Sequence, residues 1–292
     1  MTPAKGTHRR SSRKIAVPTD FSPAATAAMV YALGLAKNDR SKVTAVHAID
    51  PFDYRFGPND LRQIKRDAAW TQAQESMSTW LNAHKFSNCA PVVIEGEAGP
   101  AIAQFIDDEA IDLTILGTSG RRRVARLLLG SVAEEIFRQA NCLVLVLGPK
   151  MRARQQQLRR LVFATDVEPH SLAVLSSLSK LVQKFDSTVS VIRAVHTDIK
   201  SRTERARIRM ETTSKIKATA TPNLRKKIKT IRVSFGPPVE VITKFARASK
   251  ADAIVMGIRS GGELDRASTH IPWAIAHRVI ADATCPVLTI RG

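Results

Sequence analysis

Short apolar runs alternate with longer amphipathic or alanine-rich stretches along almost the whole chain. Lys14-Ile15-Ala16-Val17, Val43-Thr44-Ala45-Val46-His47-Ala48, Ile111-Asp112-Leu113-Thr114-Ile115-Leu116 and Cys142-Leu143-Val144-Leu145-Val146-Leu147 are runs of the kind that form buried strands. Between them, Pro23 to Lys37 is rich in alanine with apolar residues at helical spacing. Ser22 stands before it as an N-cap, and Pro23 takes the first helical position, where no backbone N–H is needed. Asp60 to His84 is a longer amphipathic stretch, and Pro100 to Glu109 a shorter one after Gly99. Strands separated by helices of this length predict an α/β fold, a parallel sheet with helices on both faces. In such sheets ligands sit beyond the carboxyl ends of the strands, at a topological switch point. Pro18-Thr19-Asp20 and the segment from Gly117 to Ser131 both fall at such ends.

The pattern then repeats. Arg160-Leu161-Val162-Phe163-Ala164-Thr165-Asp166 copies the opening strand and its turn, with Asp20 and Asp166 lying 146 positions apart. Val189 to His196 echoes the second strand, Asp252-Ala253-Ile254-Val255-Met256-Gly257 echoes Asp112 to Gly117, and Cys285-Pro286-Val287-Leu288-Thr289-Ile290 echoes Cys142 to Leu147. A repeat of this size means two domains rather than a solenoid, and 292 residues suffice for two cores. The expected division is a basic arm over 1–12, a first domain over 13–149, a linker over 150–159 and a second domain over 160–292.

Candidate chemistry concentrates in Gly117-x2-Gly120-x9-Gly130-Ser131. Glycines three apart let the backbone turn and approach a ligand closely, and a further glycine before a helix start leaves free N–H groups at the positive end of a dipole. Taken alone, the spacing is equally compatible with tight turning. It is neither the dinucleotide fingerprint nor a P-loop. It does resemble, at every fixed position, the signature of the universal stress protein family, and the Pro18-Thr19-Asp20-Phe21-Ser22 segment resembles the other end of that family's site. The resemblance covers nearly the whole chain. It implies two tandem doubly wound domains of the adenine nucleotide alpha hydrolase-like type, each a five-stranded parallel sheet. It also implies pairing of the two last strands, Cys142 to Leu147 with Cys285 to Ile290, so that one chain forms an intramolecular pseudo-dimer. For the first half it implies ATP, with Mg accompanying the phosphates. Asp20 and the Ala48 backbone would hold adenosine, Pro18 and Thr19 would shape that wall, and Leu116, Gly117, Gly120, Gly130, Ser131 and Val132 would line ribose and phosphates.

The second half departs from this signature. Aligning Cys285 with Cys142 sets Trp273 against Gly130 and Ala274 against Ser131, Ser260 stands where Gly120 should, and Ala164 replaces Pro18. An indole would fill the phosphate cradle, so no nucleotide is expected there. His47 and His196 recur near the end of the second strand of each half and read as partly buried, hydrogen-bonded histidines. The cradle offers no lysine and no positioned base. No catalytic residue is therefore assigned, and slow ATP hydrolysis stays open.

Charge adds a second asymmetry. The formal net charge is +19, of which +4 falls in residues 1–150 and +15 in residues 151–292. Between Lys200 and Arg232 twelve basic residues face only Glu204 and Glu211, in what the pattern predicts as the long helix between the second and third strands. Such an excess attracts polyanions through a field that salt screens, or it is simply a solvated face. Arg121-Arg122-Arg123 either reaches phosphates or solubilises its loop. Three isolated cysteines, Cys89, Cys142 and Cys285, fit a reducing, cytoplasmic setting and offer no metal constellation. No run of about 18 apolar residues marks a membrane span. The reading is a universal stress protein that binds ATP in its first half and signals that state to an unknown protein partner. Its rivals are an ATP-independent scaffold and a nucleic-acid-associated stress factor.

Overall fold

The computed structural model describes residues 13–37, 41–118, 131–152, 156–195, 199–258 and 270–291. The first half runs β1 (Lys14–Pro18), α1 (Pro23–Ala36), β2 (Lys42–Ile49), α2 (Asn59–Ala83), β3 (Ala90–Glu95), α3 (Ala98–Asp108), β4 (Leu113–Gly117), α4 (Ser131–Gln139) and β5 (Leu143–Leu147). The second runs β6 (Arg160–Ala164), α5 (Pro169–Phe185), β7 (Thr188–Val195), α6 (Arg202–Thr219), α7 (Pro222–Lys227), β8 (Ile228–Phe235), α8 (Pro238–Ala248), β9 (Ala253–Ile258), α9 (His270–Asp282) and β10 (Val287–Arg291). The segment read as one long basic helix is instead α6, α7 and most of β8. Ala220, its carbonyl taken by Arg225 Nε, and Thr221-Pro222 divide the two helices, since proline cannot continue the first but suits the start of the second.

The described strands form one ten-stranded sheet in the order β3-β2-β1-β4-β5-β10-β9-β6-β7-β8. Neighbours within each half are parallel, and β5 meets β10 antiparallel. The pairs Val146–Val287, Leu145–Leu288 and Val144–Thr289 are self-complementary, with a pseudo-two-fold axis through Leu145 and Leu288. Two apolar edges that would otherwise be open to other chains are thus closed by the same polypeptide. Thr289 Oγ1 donates to the Val144 carbonyl across this seam, at 3.2 Å.

Helices cover both faces. One core packs α1, α2, α5, α6 and α7 on the sheet around Met29, Trp80, Phe163, Leu178 and Ile216; the other packs α3, α4, α8 and α9 around Ile106, Ile136, Ile242 and Val279. Each core draws on both halves. Lys184 reaches Asp112 at 2.5 Å, and the Arg13 guanidinium lies 3.9 Å from the Phe185 ring centre, tying α5 to the first half.

The sequence repeat reappears as repeated bonds. Asp112 accepts the Lys14 N–H while donating its own to the Lys14 carbonyl, and Asp252 does the same with Arg160. Gly96 and Gly236, which follow the third strand of each half, both take φ near +140°, a conformation that glycine alone adopts without strain.

Candidate functional site

Strand register decides what comes together at the carboxyl edge. Pro18 lies opposite Val46, and Ala16 opposite Thr114, so β1, β2 and β4 end at one level. The chain leaves β1 toward β2 on one side and β4 on the other. This is the switch point at which doubly wound sheets leave a crevice. Pro18, Thr19, Asp20, Ala48, Leu116 and Gly117 all belong to this edge.

The turn after β1 is fixed by short-range bonds. Thr19 donates its N–H to the Val46 carbonyl at 2.9 Å, Phe21 N–H reaches Thr19 Oγ1 at 2.9 Å, and Ser22 N–H reaches Asp20 Oδ1 at 3.0 Å. These hold Phe21 at φ +64°, a left-handed conformation unusual for a bulky residue. His47 Nδ1 donates to the Thr19 carbonyl at 2.8 Å, and the Phe21 ring centre sits 4.6 Å from that of His47. Ser22 then caps α1 through Ala25 N–H, while Trp80 Nε1 reaches Thr26 Oγ1 at 2.9 Å. Half-buried Asp20 keeps Oδ2 without a partner among the described residues. Sequence reading recognised His47 as a satisfied histidine but missed that it anchors this turn; only the β1–β2 register brings the two together.

Ala48 presents backbone rather than side chain. Val46 bonds toward β1 and Ile49 toward β3, where it accepts the Gly96 N–H at 2.9 Å. Alternation along the strand therefore turns the Ala48 N–H and carbonyl toward β1, past the point where β1 has ended. They face the space above Thr19 and Asp20.

Gly117 has a structural reason the sequence did not reveal. A Cβ there would lie 2.3 Å from the Ala24 carbonyl oxygen, so the end of β4 packs directly on α1. Beyond it, Thr118 bonds the Leu147 carbonyl through both N–H and Oγ1. Gly120 and Gly130 lie outside the described residues. Ser131 opens α4, and Val132 packs partly buried against the second core. As the helix following β4, α4 starts on the carboxyl side of the sheet, so its dipole places positive potential at that edge.

In the second half the turn is copied. Val167 N–H reaches Thr165 Oγ1 at 2.9 Å, Glu168 N–H reaches Asp166 Oδ1 at 3.0 Å, and Val167 stands at φ +60°. Register pairs Ala164 with Ile192, which makes Arg193 the counterpart of His47. His196 lies outside the described residues. Ala140 and Ala283 close their helices on Ile136 and Val279 in the same way, and the backbone of Trp273 lies inside α9. The described residues contain no group of acidic, histidine or cysteine side chains that could hold a metal, and no helix long and apolar enough to cross a membrane.

A sequence model of the universal stress protein family matches residues 11–148 and 157–291. The chain belongs to the universal stress protein family. Universal stress protein MJ0531 of Methanocaldococcus jannaschii is 28% identical over 143 residues, 46% of this chain and 81% of that protein. The solved universal stress protein of Archaeoglobus fulgidus shares the fold at a TM-score of 0.62 and 17% identity, over 96% of this chain and 99% of its own. A universal stress protein solved in complex with cAMP is 20% identical over 46% of this chain and 98% of its own, at a TM-score of 0.33; the bound nucleotide is a property of that protein.

Proposed function

We propose that this universal stress protein binds ATP in its first half and passes the bound state to a protein partner. The observation that carries the reading is the convergence at the β1–β4 switch point. Asp20 has one carboxylate oxygen committed to its own turn and the other open, and the Ala48 backbone faces the same space. An open carboxylate oxygen suits a ribose hydroxyl, and a free backbone N–H and carbonyl suit the edge of an adenine. The α4 N-terminus, with Ser131, would meet the phosphates, and Mg would arrive bound to them rather than to protein ligands. Gly120 and Gly130 would let the loop backbone approach the phosphates. No residue of this edge is assigned a catalytic role.

Titration calorimetry with ATP tests the reading, with Asp20→Asn as the informative variant. Asparagine keeps an oxygen for the Ser22 N–H but loses the charge and the second acceptor. Affinity should fall by about tenfold, the scale of one hydrogen bond to a charged group. An unchanged affinity would remove Asp20 from the site. No heat or displacement with ATP, ADP or AMP would remove the nucleotide reading and favour the scaffold, whose support is the continuous sheet joining the halves.

A further inference from the structure

The outer face of the second half differs from its symmetry mate most of all in charge. From α6 to the end of β8 (202–235) there are eleven Lys and Arg against two acids, whereas the corresponding stretch from α2 to the end of β3 (59–95) has four against four. The two stretches do the same work for the fold. Each buries one side of a helix on the same core, through Met77 and Trp80 in α2 and Ile216 in α6. The excess is therefore not something the fold requires. Nor is it edge protection alone. Lys229 and Arg232 are exposed on edge strand β8 and would deter strand pairing, but the larger share stands on the helices.

Internal pairing consumes little of the charge. Arg207 and Lys215 engage Glu204 and Glu211, the only acids of the stretch, and Lys227 engages Asp186. Exposed Arg202, Arg209, Lys217, Lys226, Lys229 and Arg232 have no carboxylate partner among the described residues. Arg209 and Lys217 flank a shallow concavity of about 390 Å³ on α6, which Met210, Thr213 and Ser214 complete.

We propose that this face docks double-stranded DNA through its phosphate backbone, without reading sequence. The chemistry of the face selects among polyanions. Among the described residues of this face no aromatic side chain is exposed, Phe235 being half-buried under Arg205 and Arg209, so there is no platform for unstacked bases, which disfavours single strands. Met210 is the one large exposed apolar residue on α6, so there is no apolar stripe to enter a bilayer. Thr213 Oγ1 is already turned back to the Arg209 carbonyl, leaving Ser214 as the sole hydroxyl of the concavity free to meet a ribose 2′-OH, against the polar rows that duplex RNA calls for. What remains is a rigid helix carrying point charges, the arrangement that neutralises phosphates and releases counterions.

Fluorescence anisotropy with a labelled 20-base-pair DNA duplex, titrated with full-length protein from low to physiological salt, tests this. Replacing Arg202, Arg209 and Lys217 together by Gln should weaken binding about tenfold or more and reduce the salt slope by roughly two to three, close to one per lost phosphate contact. The matched control, Arg62, Lys65 and Lys85 to Gln on the mate face, should leave both nearly unchanged. Each variant should still melt cooperatively, within a few degrees of the parent, because the six side chains are outside the cores and only Arg209, over the Phe235 ring, and Arg62, bonded to Asn59, lose a contact; ATP affinity should match the parent. The proposal is overturned if the parent does not bind the duplex at low salt, or if both triple variants lose affinity equally. It is also overturned if the α6 variant binds as the parent does, or if phosphatidylserine vesicles or an RNA duplex bind more tightly than DNA through the same three residues.

Discussion

At the end of its first strand each half makes the same turn, with Thr and Asp bonding the next two amides and a left-handed residue between them. From there the halves diverge. Ser22 caps α1, whereas Glu168 stands at the same place before α5 without a side-chain cap. At the end of the third strand, Glu95 takes Arg66 at 2.7 Å, and that bond holds its carboxyl below the usual range. Its counterpart is Phe235, under the guanidinium groups of Arg205 and Arg209. Gly130 in one half is Trp273 in the other. What recurs is what the fold uses to end a strand and start a helix, so the Thr-Asp turn alone does not mark a ligand site. The distinction lies in the residues that are free to differ.

The strongest break of the comparison is to make the first half resemble the second. Gly130→Trp installs the second half's own residue and should abolish ATP binding, a loss of about 100-fold or more, or roughly 2.7 kcal/mol. The fold should survive, since the alignment of Cys142 with Cys285 sets Trp273 against Gly130 and the second half carries that tryptophan within α9. Calorimetry on a variant with an unchanged melting temperature checks both parts, and wild-type affinity in that variant would remove the cradle from the site. Ser131→Ala is the gentler version, expected to lower affinity by about 1.5 kcal/mol.

Gly117 ends β4 and Gly257 lies one residue before the end of β9, yet a methyl group would meet different neighbours. At Gly117 the Cβ runs into backbone, with Ala24 O at 2.3 Å and Ala24 C at 2.6 Å; at Gly257 it meets the Val174 Cγ2 at 2.7 Å. A side-chain methyl can rotate away, while helix backbone must shift as a unit. Gly117→Ala should therefore destabilise by about 1–3 kcal/mol, the usual cost of overpacking, and Gly257→Ala by less. Urea unfolding compares the two directly, and equal losses would contradict the contact geometry.

These glycines show what was legible in the sequence. Alternating apolar runs and helical stretches identified the strands and the two-fold repeat, because buried parallel strands carry a strong local signal. Pairing of the last strands followed from the family resemblance and is met by the Leu145–Leu288 register. Gly117, by contrast, was legible as a strand end but not as a helix contact, since that contact joins residues 93 positions apart. His47 was matched to His196 because the letters recur, while backbone register assigns Arg193. The basic stretch looked like one helix, as charge says nothing about where Thr221-Pro222 starts a new one. Long-range register is the information that residue pattern alone lacks.

The caps allow a smaller and reciprocal test. Ser22→Ala removes the bond to Ala25 N–H and should cost about 1 kcal/mol. Glu168→Ser would supply the missing cap to α5 and should stabilise by up to about 1 kcal/mol. Opposite shifts in melting temperature are expected; a destabilising Glu168→Ser would mean that Glu168 does other work at the α5 start.

The smallest effect concerns a residue on the seam between the halves. His277 on α9 is half-buried, and burial lowers its pKa below the ordinary histidine value, with the Glu134 carboxylate of α4 opposing that shift. Burial outweighs the carboxylate, so the folded protein prefers neutral imidazole. The unfolded chain then binds more protons below about pH 6.5, and by linkage stability rises with pH across that window. The contribution is fully present above pH 6.5 and is lost as pH falls toward the lowered folded value. His277→Gln should flatten the dependence of melting temperature on pH between about 5 and 7, without altering ATP affinity. Glu134→Gln should steepen it, because a carboxylate that favours the charged imidazole is gone. If instead Glu134→Gln flattened the profile, the carboxylate would be the dominant influence and His277 would be held charged in the native seam.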